Sequence, residues 1–378
     1  MITRPELGWS HRNRNAKRRE RKTIRNRPSL DFWQMEPSDP LAAHPCSSRL
    51  EALPVEILQL IFFYSLEINL PRASPYLARA LSKPIVYTWL IRLAFSSANT
   101  SSRQGLFTPD FLPPPLDFWD MACPGRQRLQ TQLLECRWCT LPLMRRCQRE
   151  YVEHVIRRKC ANLSFSDEGK LLLGSFDDIF NDLEGCDRAP RGFRGKGDLV
   201  LPARLPGEES PPTVDRKVAI WLHLGAVQVR EPNEVFYEND LFQLPCAPAL
   251  GAGRIPDKLL QEPWSEEQFQ FLELLSSDFY LDEDGAAAER SSEITTRLIR
   301  KRRMEPFSRL VRMYFRAANC RVPSRWPLRD SHFAMIQRCM EGPNDPFANV
   351  VLNARWDDIP TSARQDLLLA LSVKSDKG

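Results

Sequence analysis

The sequence predicts a mainly α fold of the α+β class, mostly helical with a short β-hairpin. The 378 residues are 42% apolar and 10% aromatic, so the chain can bury a substantial core. In several long stretches, apolar residues recur with the helical period of 3.6. The apolar alternation typical of strands is confined to 199–205 and 217–230, which we expect to pair with each other.

Residues 1–45 are predicted to be a disordered basic arm, because they are polar and interrupted by prolines. Residues 1–30 contain ten Lys or Arg and two acidic residues, a net charge of +8, whereas the whole chain carries +5. The arm has no apolar segment of the kind that directs secretion, and no stretch reaches the roughly 18 apolar residues of a membrane span. We expect a protein of the nucleus and/or cytoplasm, with reduced cysteines and no membrane partner.

One cluster in the arm predicts a nuclear-targeting signal, formed by Lys17, Arg18, Arg19, Arg21 and Lys22. Two other interpretations stay open: an arm that contacts nucleic-acid phosphates, and a solvated tail with no specific role. Few aromatic side chains alternate with these charges, which disfavours base stacking and therefore nucleic acid as a partner.

Residues 46–97 are predicted to form a compact helical module. Pro54 suits the first turn of a helix, where a backbone N–H has no intrahelical partner. Two apolar faces follow, the first made of Leu53, Ile57, Leu60, Ile61 and Tyr64, the second of Leu58, Phe62, Phe63 and Leu66. Such a helix needs two partners, and a small module covers only one face. We expect the other face to dock on a second protein or on the downstream domain.

The segment from Leu53 to Phe95 resembles an F-box. Its opening Leu-Pro-Val-Glu-Ile-Leu follows the family pattern Leu-Pro-x-Glu-[Ile/Leu]-Leu, and an Ile-Phe pair, a Leu and a later Trp also match. The matching residues are Leu53, Pro54, Glu56, Ile57, Leu58, Ile61, Phe62, Leu66, Leu70 and Trp89. The second half has Ala78-Arg79-Ala80-Leu81 where many members have Val-Cys-[Lys/Arg]-x-Trp, and this style is similar to that of F-box-like proteins of filamentous fungi.

The resemblance implies a small three-helix module that binds the Skp-type adaptor of a cullin-RING ubiquitin ligase, while the rest of the chain captures a substrate. The implied partners are the adaptor, the cullin scaffold and an unidentified protein, with no cofactor and no catalysis in this chain. The implied adaptor-binding residues are Leu53, Pro54, Ile57, Leu58, Ile61, Phe62 and Leu66. Two alternatives stay open: a core helix of one larger domain, and a nuclear scaffold or nucleic-acid-associated protein that uses the basic arm.

Downstream, residues 98–125 are predicted to be a proline-rich linker, because Pro109 and the prolines at 113–115 favour an extended spacer. Residues 126–378 are predicted to be a helical α+β substrate-recognition domain, in one part or two. An acidic run within 266–289 and a basic run within 297–316 are expected to pair with each other or with solvent. A charged recognition face is the alternative.

Cys136 and Cys139 have the spacing of half a zinc site, with Cys147, His154 and Cys160 downstream. The second half is spread through sequence that indicates helix, so buried free thiols on a helical face are the favoured interpretation and zinc is the alternative. No glycine-rich phosphate loop, His-Glu-x-x-His or Gly-x-Ser-x-Gly motif occurs, and the five histidines are isolated in sequence. These patterns predict a non-catalytic protein.

Overall fold

The structure is a computed structural model that describes residues 48–98, 105–174, 199–205, 216–223, 225–231, 241–247, 253–281, 286–316, 323–342 and 344–373. Contacts divide the chain at Ser48, and Arg49–Gly378 forms one compact unit. The basic arm and its targeting cluster lie outside the described residues.

The described residues are mainly helical, which confirms the predicted fold class. The helices are α1 (Val55–Ser65), α2 (Pro75–Leu81), α3 (Pro84–Phe95), α4 (Cys123–Glu135), α5 (Leu141–Lys159), α6 (Asp167–Gly174), α7 (Glu266–Ser276), α8 (Ala286–Arg300), α9 (Met304–Arg312), α10 (Asp330–Arg338), α11 (Pro346–Ala354) and α12 (Thr361–Val373). Short 3₁₀ turns occupy Leu70–Arg72, Asp257–Leu260 and Trp356–Asp358. Within this part of the chain, no helix combines the length and the apolar character that crossing a bilayer requires.

The strands form a small antiparallel sheet and a separate hairpin. The sheet has the order β1 (Ser164–Phe165), β2 (Leu199–Arg204), β3 (Arg216–His223), β4 (Ala226–Arg230) and β5 (Phe242–Gln243), and β6 (Tyr314–Arg316) pairs with β7 (Pro323–Arg325). The predicted pairing of the two alternating stretches is present between β2 and β3, where Leu199 lies opposite Ile220. The hairpin expected from sequence is thus part of a five-stranded sheet.

The stretch 217–230 is two strands rather than one because the chain reverses at Gly225. This glycine has a φ of +82°, in the region that residues with a Cβ rarely adopt. A Cβ here would lie 2.3 Å from the carbonyl oxygen of Leu244 and 2.4 Å from Nε2 of Gln148. Gln148 on α5 donates that amide to the same carbonyl at 2.9 Å, so the turn lies directly against α5.

One hydrophobic core runs from α1 to α12. Leu58 on α1, Leu133 on α4, Ile220 on β3 and Ile336 on α10 are all completely buried members of it. Helices α1–α3 therefore share their core with the downstream helices and the sheet. The predicted boundaries between a 46–97 module and a 126–378 domain stay a prediction.

Polar contacts also fix α3 to the downstream region. Gln130 on α4 is buried and donates its side-chain amide to the carbonyl oxygens of Ala94 (2.7 Å) and Cys246 (2.8 Å). On the same helix α3, Arg92 forms a 2.5 Å ion pair with Glu150 on α5. These contacts join residues of α3 to residues that are far from it in the sequence.

Residues 105–122 are packed, which differs from the extended spacer expected of this proline-rich stretch. The buried side chains are Leu106, Phe111, Leu112, Leu116 and Phe118. The Phe111 ring stacks on His154 of α5 with a centroid distance of 4.4 Å, and the Arg126 guanidinium lies 3.6 Å from the centroid of the Phe118 ring. Proline restricts the backbone, but the apolar side chains between the prolines decide whether the segment packs.

Candidate functional site

Helix α1, the most informative segment of the sequence, begins directly after Pro54. Pro54 is extended, with a ψ of 148°, and its carbonyl accepts hydrogen bonds from the N–H groups of Ile57 and Leu58, both at 3.0 Å. At the other end Leu66 has a φ of 48° and donates its N–H to the carbonyl of Phe62 at 2.7 Å. A non-glycine residue in this conformation costs on the order of 1 kcal/mol or more, which the packing of Leu66 against the core offsets.

One face of α1 packs into the core. Leu58 and Phe62 are 0% and 2% exposed, and Phe63 is also buried, with its ring edge-on to Trp89 of α3 at 5.7 Å. Gln59 donates its side-chain amide to the carbonyl of Ala80 on α2 at 3.2 Å. These contacts hold α1 against α2 and α3, so its orientation is set without any partner.

The opposite face of α1 is apolar and exposed. Its side chains are Ile57 (41% exposed), Leu60 (41%), Ile61 (36%) and Tyr64 (77%), and Pro54 at the start of the helix is exposed as well. We call these five residues the α1 face. Exposed apolar side chains that are contiguous on one helix are typical of protein-binding surfaces. Helix α1 has one acidic residue and no basic one, so a partner here would be held by apolar burial more than by charge.

The seven residues implied to bind an adaptor differ in how exposed they are to solvent. Pro54, Ile57 and Ile61 lie on the α1 face, and Leu53 and Leu66 are half-buried at its two ends. Assigning Leu58 and Phe62 to adaptor contact needs correction, because both are core residues that a docking protein cannot reach. Leu58 and Phe62 match the family pattern because that pattern contains both residues that form the core of the module and residues that bind the adaptor.

Two residues of the α1 face, Leu60 and Tyr64, were not in the implied set. Their spacing with Ile57 and Ile61 already placed them on one side of the helix, so periodicity was the signal that could have found them. Trp89, which matches the family pattern, is half-buried and packs on Phe63, which indicates a structural role.

The Cys136–Cys139 pair lies in a turn between α4 and α5, not on a helical face. Helix α4 ends at Glu135, and the N–H of Cys139 bonds to the carbonyl of Cys136 at 3.2 Å. The ammonium of Lys258 caps the turn by donating to the carbonyl oxygens of Cys136 (2.5 Å) and Cys139 (2.7 Å). The residues of this turn thus connect α4 to the 3₁₀ turn that contains Lys258.

Burial makes these thiols poor nucleophiles. It raises the pKa of Cys139 and of Cys147 to about 12, and that of Cys160 to about 11. Nucleophilic attack needs the thiolate, which is scarce at neutral pH for such groups. Across the described ranges, no group of three or more His, Cys, Asp or Glu is placed to hold a metal ion.

His154 is part of the packing of the 105–122 segment. Its ring stacks on Phe111, and Nε2 bonds to the carbonyl of Leu106. Burial lowers the pKa of His154, and the neighbouring charges of Arg158 and Arg92 add to this. The ring is therefore neutral at pH 7 and is engaged in holding two segments together.

The two oppositely charged runs pair in part, as expected. Arg309 on α9 forms ion pairs with Glu266 and Glu273 on α7, the second at 3.2 Å, and its guanidinium lies 4.4 Å from the centroid of the Phe269 ring. Lys301 pairs with Glu262 at 2.8 Å. These contacts fasten α8 and α9 to the start of α7.

Comparison of this chain with known proteins gave no match to a family model, to a curated protein or to a solved structure. We therefore infer the function of this chain from the geometry of α1–α3 and from the residues exposed around them.

Proposed function

We propose that the chain is a non-catalytic substrate receptor of a cullin-RING, SCF-type ubiquitin ligase. It binds a Skp-type adaptor through the α1 face and an unidentified protein through the region after residue 98. The observation that carries the proposal is the exposed apolar surface of Ile57, Ile61 and Tyr64, on a helix whose opening residues resemble an F-box.

Helix α1 is suited to docking in a groove because its other face is already anchored. Leu58, Phe62 and Phe63 hold the helix in place, so a partner does not have to order it on binding. Well-buried anchors at the centre of an interface contribute about 2 kcal/mol each, so three of them supply most of a micromolar affinity.

The test replaces three residues of the α1 face, as Ile57→Ala, Ile61→Ala and Tyr64→Ala together. Because all three side chains are exposed, the variant should fold with the thermal midpoint of the wild type. We expect its affinity for the purified Skp-type adaptor to fall about 100-fold or more, measured by isothermal titration calorimetry.

The matched control is Leu368→Ala with Leu369→Ala on α12, two other exposed apolar residues. Its adaptor affinity should equal that of the wild type. An α1-face variant that binds the adaptor as tightly as the wild type would contradict the proposal, as would an unmodified chain that does not bind it at all.

Salt separates this proposal from the alternative of a nucleic-acid-associated scaffold. Docking through an uncharged surface should persist at about 0.5 M salt, where exposed charges are screened within a few ångströms. Retention on nucleic acid that is lost at that salt, and lost on deleting residues 1–30, would instead favour the scaffold.

A further inference from the structure

The corner between α8 and α9 contains an unusual backbone conformation. Helix α8 ends at Arg300 and α9 begins at Met304, and between them Arg302 has a φ of 53°. For a long side chain without special turn chemistry this conformation is strained, and such strain persists only where the surroundings determine it. Residues held in this way are concentrated at binding sites.

The side chain of Arg302 turns inward and fixes the corner. Its Nη2 pairs with Oδ2 of Asp345 at 2.5 Å, and Nη1 donates to the carbonyl of Cys339 at 3.2 Å. The guanidinium also lies 4.6 Å from the centroid of the Phe347 ring. The Asp345 side chain is completely buried, so this anchor is part of the core.

Most exposed residues next to Arg302 in the sequence are basic, although Glu305 is exposed nearby and Arg302 also pairs with the exposed Glu341 at 3.3 Å. Arg297, Arg300, Lys301 and Arg303 are exposed, and we call these four residues the basic corner. Lys301 pairs with Glu262, whereas Arg297, Arg300 and Arg303 have no ion pair among the described residues. The two half-buried arginines of α8 and α9, Arg290 and Arg309, both have carboxylate partners.

The pKa of Glu262 is lowered by the positive charges of the basic corner. The hydrogen bond from Lys301 lowers its pKa first, and the charges of Lys301, Arg303 and Arg297 lower it further. Several cations therefore favour a negative charge at the position of this carboxylate.

The helix dipole explains only part of this charge. Cations in the last turn of a helix are stabilising, which accounts for Arg297 and Arg300 at the end of α8. Lys301 directly follows α8 and is still close to the C-terminal end of its dipole, whereas Arg303 is the N-cap of α9, where the dipole of that helix disfavours a cation. The strained conformation of Arg302 between them is not explained by the dipole either.

We infer that the basic corner binds an acidic segment, rich in Asp and Glu, of the protein that this chain captures. Guanidinium groups bind carboxylates with paired hydrogen bonds, and the fixed backbone reduces the entropy lost when the segment docks. The inference rests on the proposed function for its choice of a protein as the ligand. Nucleic acid is disfavoured because Trp264, the aromatic residue closest in sequence to Glu262, stacks on Phe269 rather than standing free for a base.

The probe is a fluorescein-labelled peptide of alternating Glu and Gly, with a Gln-for-Glu peptide of equal length as its matched ligand. Fluorescence anisotropy is measured on the full chain with Lys17, Arg18, Arg19, Arg21 and Lys22 changed to Ala in every sample, so that probe binding by the basic arm is reduced and is the same in all of them. The variant combines Arg297→Glu, Arg300→Glu and Arg303→Glu, and a second variant changes the same three residues to Gln.

We expect the Glu peptide to bind and the Gln peptide not to bind. The Glu variant should weaken binding at least about tenfold, and the Gln variant by less. The control Arg312→Glu, an exposed arginine near the other end of α9, should change the affinity less than about twofold. Thermal midpoints within the error of the wild type establish that the variants fold.

Equal weakening of peptide binding by the control and by the Glu variant would overturn the inference. Displacement of the Glu peptide from the protein by a single-stranded oligonucleotide at equal concentration would also overturn it. Adaptor titration on the same samples keeps the two proposals apart. A corner that binds the peptide in a chain that does not bind the adaptor contradicts the proposed function alone. Adaptor binding without corner-dependent peptide binding contradicts this inference alone.

Discussion

Several buried polar side chains donate hydrogen bonds to backbone carbonyl oxygens in distant segments of the chain. Arg355 is buried and donates Nη1 to the carbonyl oxygens of Val311 (3.1 Å) and Trp326 (2.7 Å). Gln148 does the same for Leu244 behind the β3–β4 turn. Each such bond contributes about 1 kcal/mol net, but leaving the buried carbonyl unpaired costs more. Nothing in the local sequence marks these residues, because their partners are distant along the chain.

The clearest prediction at the residue scale concerns Gly225. Gly225→Ala forces a Cβ into a left-handed backbone and against the carbonyl of Leu244 and the amide of Gln148. We expect the free energy of unfolding to fall by about 2 kcal/mol or more, since the clash adds to the backbone strain. Chemical denaturation followed by tryptophan fluorescence measures the change.

Gly342→Ala is the matched control, because a Cβ at Gly342 meets nothing within 4 Å. It should leave the free energy of unfolding within about 0.5 kcal/mol of the wild type. Similar losses from the two substitutions would show that the close approach at Gly225 is not what constrains this turn.

At the scale of elements, apolar periodicity in the sequence predicts which segments are helical, but it does not predict which face of a helix is buried. The spacing in α1 separates Ile57 and Ile61 from Leu58 and Phe62, yet both sets are apolar and either could have faced the core. Only the position of α2 and α3 decides this, and that is a property of the tertiary fold. The 217–230 stretch is similar, because a glycine in an alternating pattern does not by itself distinguish a bulge from a reversal.

Asp345 begins α11 and also anchors the basic corner. Its Oδ1 accepts the N–H groups of Phe347 (3.0 Å) and Ala348 (3.2 Å), and Oδ2 pairs with Arg302. Burial alone raises the pKa of Asp345, but the hydrogen bonds from Arg302 and the backbone outweigh it and lower the pKa below the usual 3.8. The ionised carboxylate therefore stabilises the fold above pH 3.8, and this stabilisation is lost as pH falls through the folded-state pKa.

Asp345→Asn should lower the free energy of unfolding by about 1–3 kcal/mol at pH 7, since it removes the charge that pairs with Arg302. The difference from the wild type should shrink as the pH falls below 3.8. Urea denaturation at pH 7 and at acid pH measures both values. A deficit of the same size at every pH would contradict a role for the ionised carboxylate.

At the scale of the whole molecule, two buried histidines predict a loss of stability in mild acid. Burial lowers the pKa of His154 and of His332 below the usual 6.5, with nearby arginines adding to the effect. Nδ1 of His332 accepts the N–H of Arg329 at 3.0 Å, a bond that protonation of this nitrogen would break. The unfolded chain thus binds protons more readily than the folded one, so stability is full above pH 6.5 and falls as the pH drops towards the folded-state values.

We expect the free energy of unfolding to decrease from pH 7.5 to pH 5.5, and the double variant His154→Gln and His332→Gln to lose most of that slope. The variant is compared with itself across pH, so a lower stability at pH 7.5 does not affect the result. A slope unchanged from the wild type would show that other groups cause it.

The mainly helical α+β class followed from composition and periodicity, and the structure confirms it. The packed state of 105–122 did not, because Phe111 and Phe118 have neighbours on α4 and α5 that no local pattern reveals. The segment that the sequence singled out, α1, has an exposed apolar face, but Leu58 and Phe62 are buried in the core, and adaptor binding at α1 stays a prediction. Local sequence encodes where a helix begins and how its side chains are spaced, whereas burial depends on contacts between segments far apart in the chain.

Because Gln130 bonds to both Ala94 and Cys246, we expect α1–α3 to be less stable when they are separated from the rest of the chain. Cutting the chain after residue 98 would remove the amide from the end of α3 and uncover Leu93 and Phe95, which are buried in the intact chain. The α1 face and the basic corner lie in one compact unit of the folded chain. We therefore expect partners bound at these two surfaces to be separated by folded protein and not by a linker.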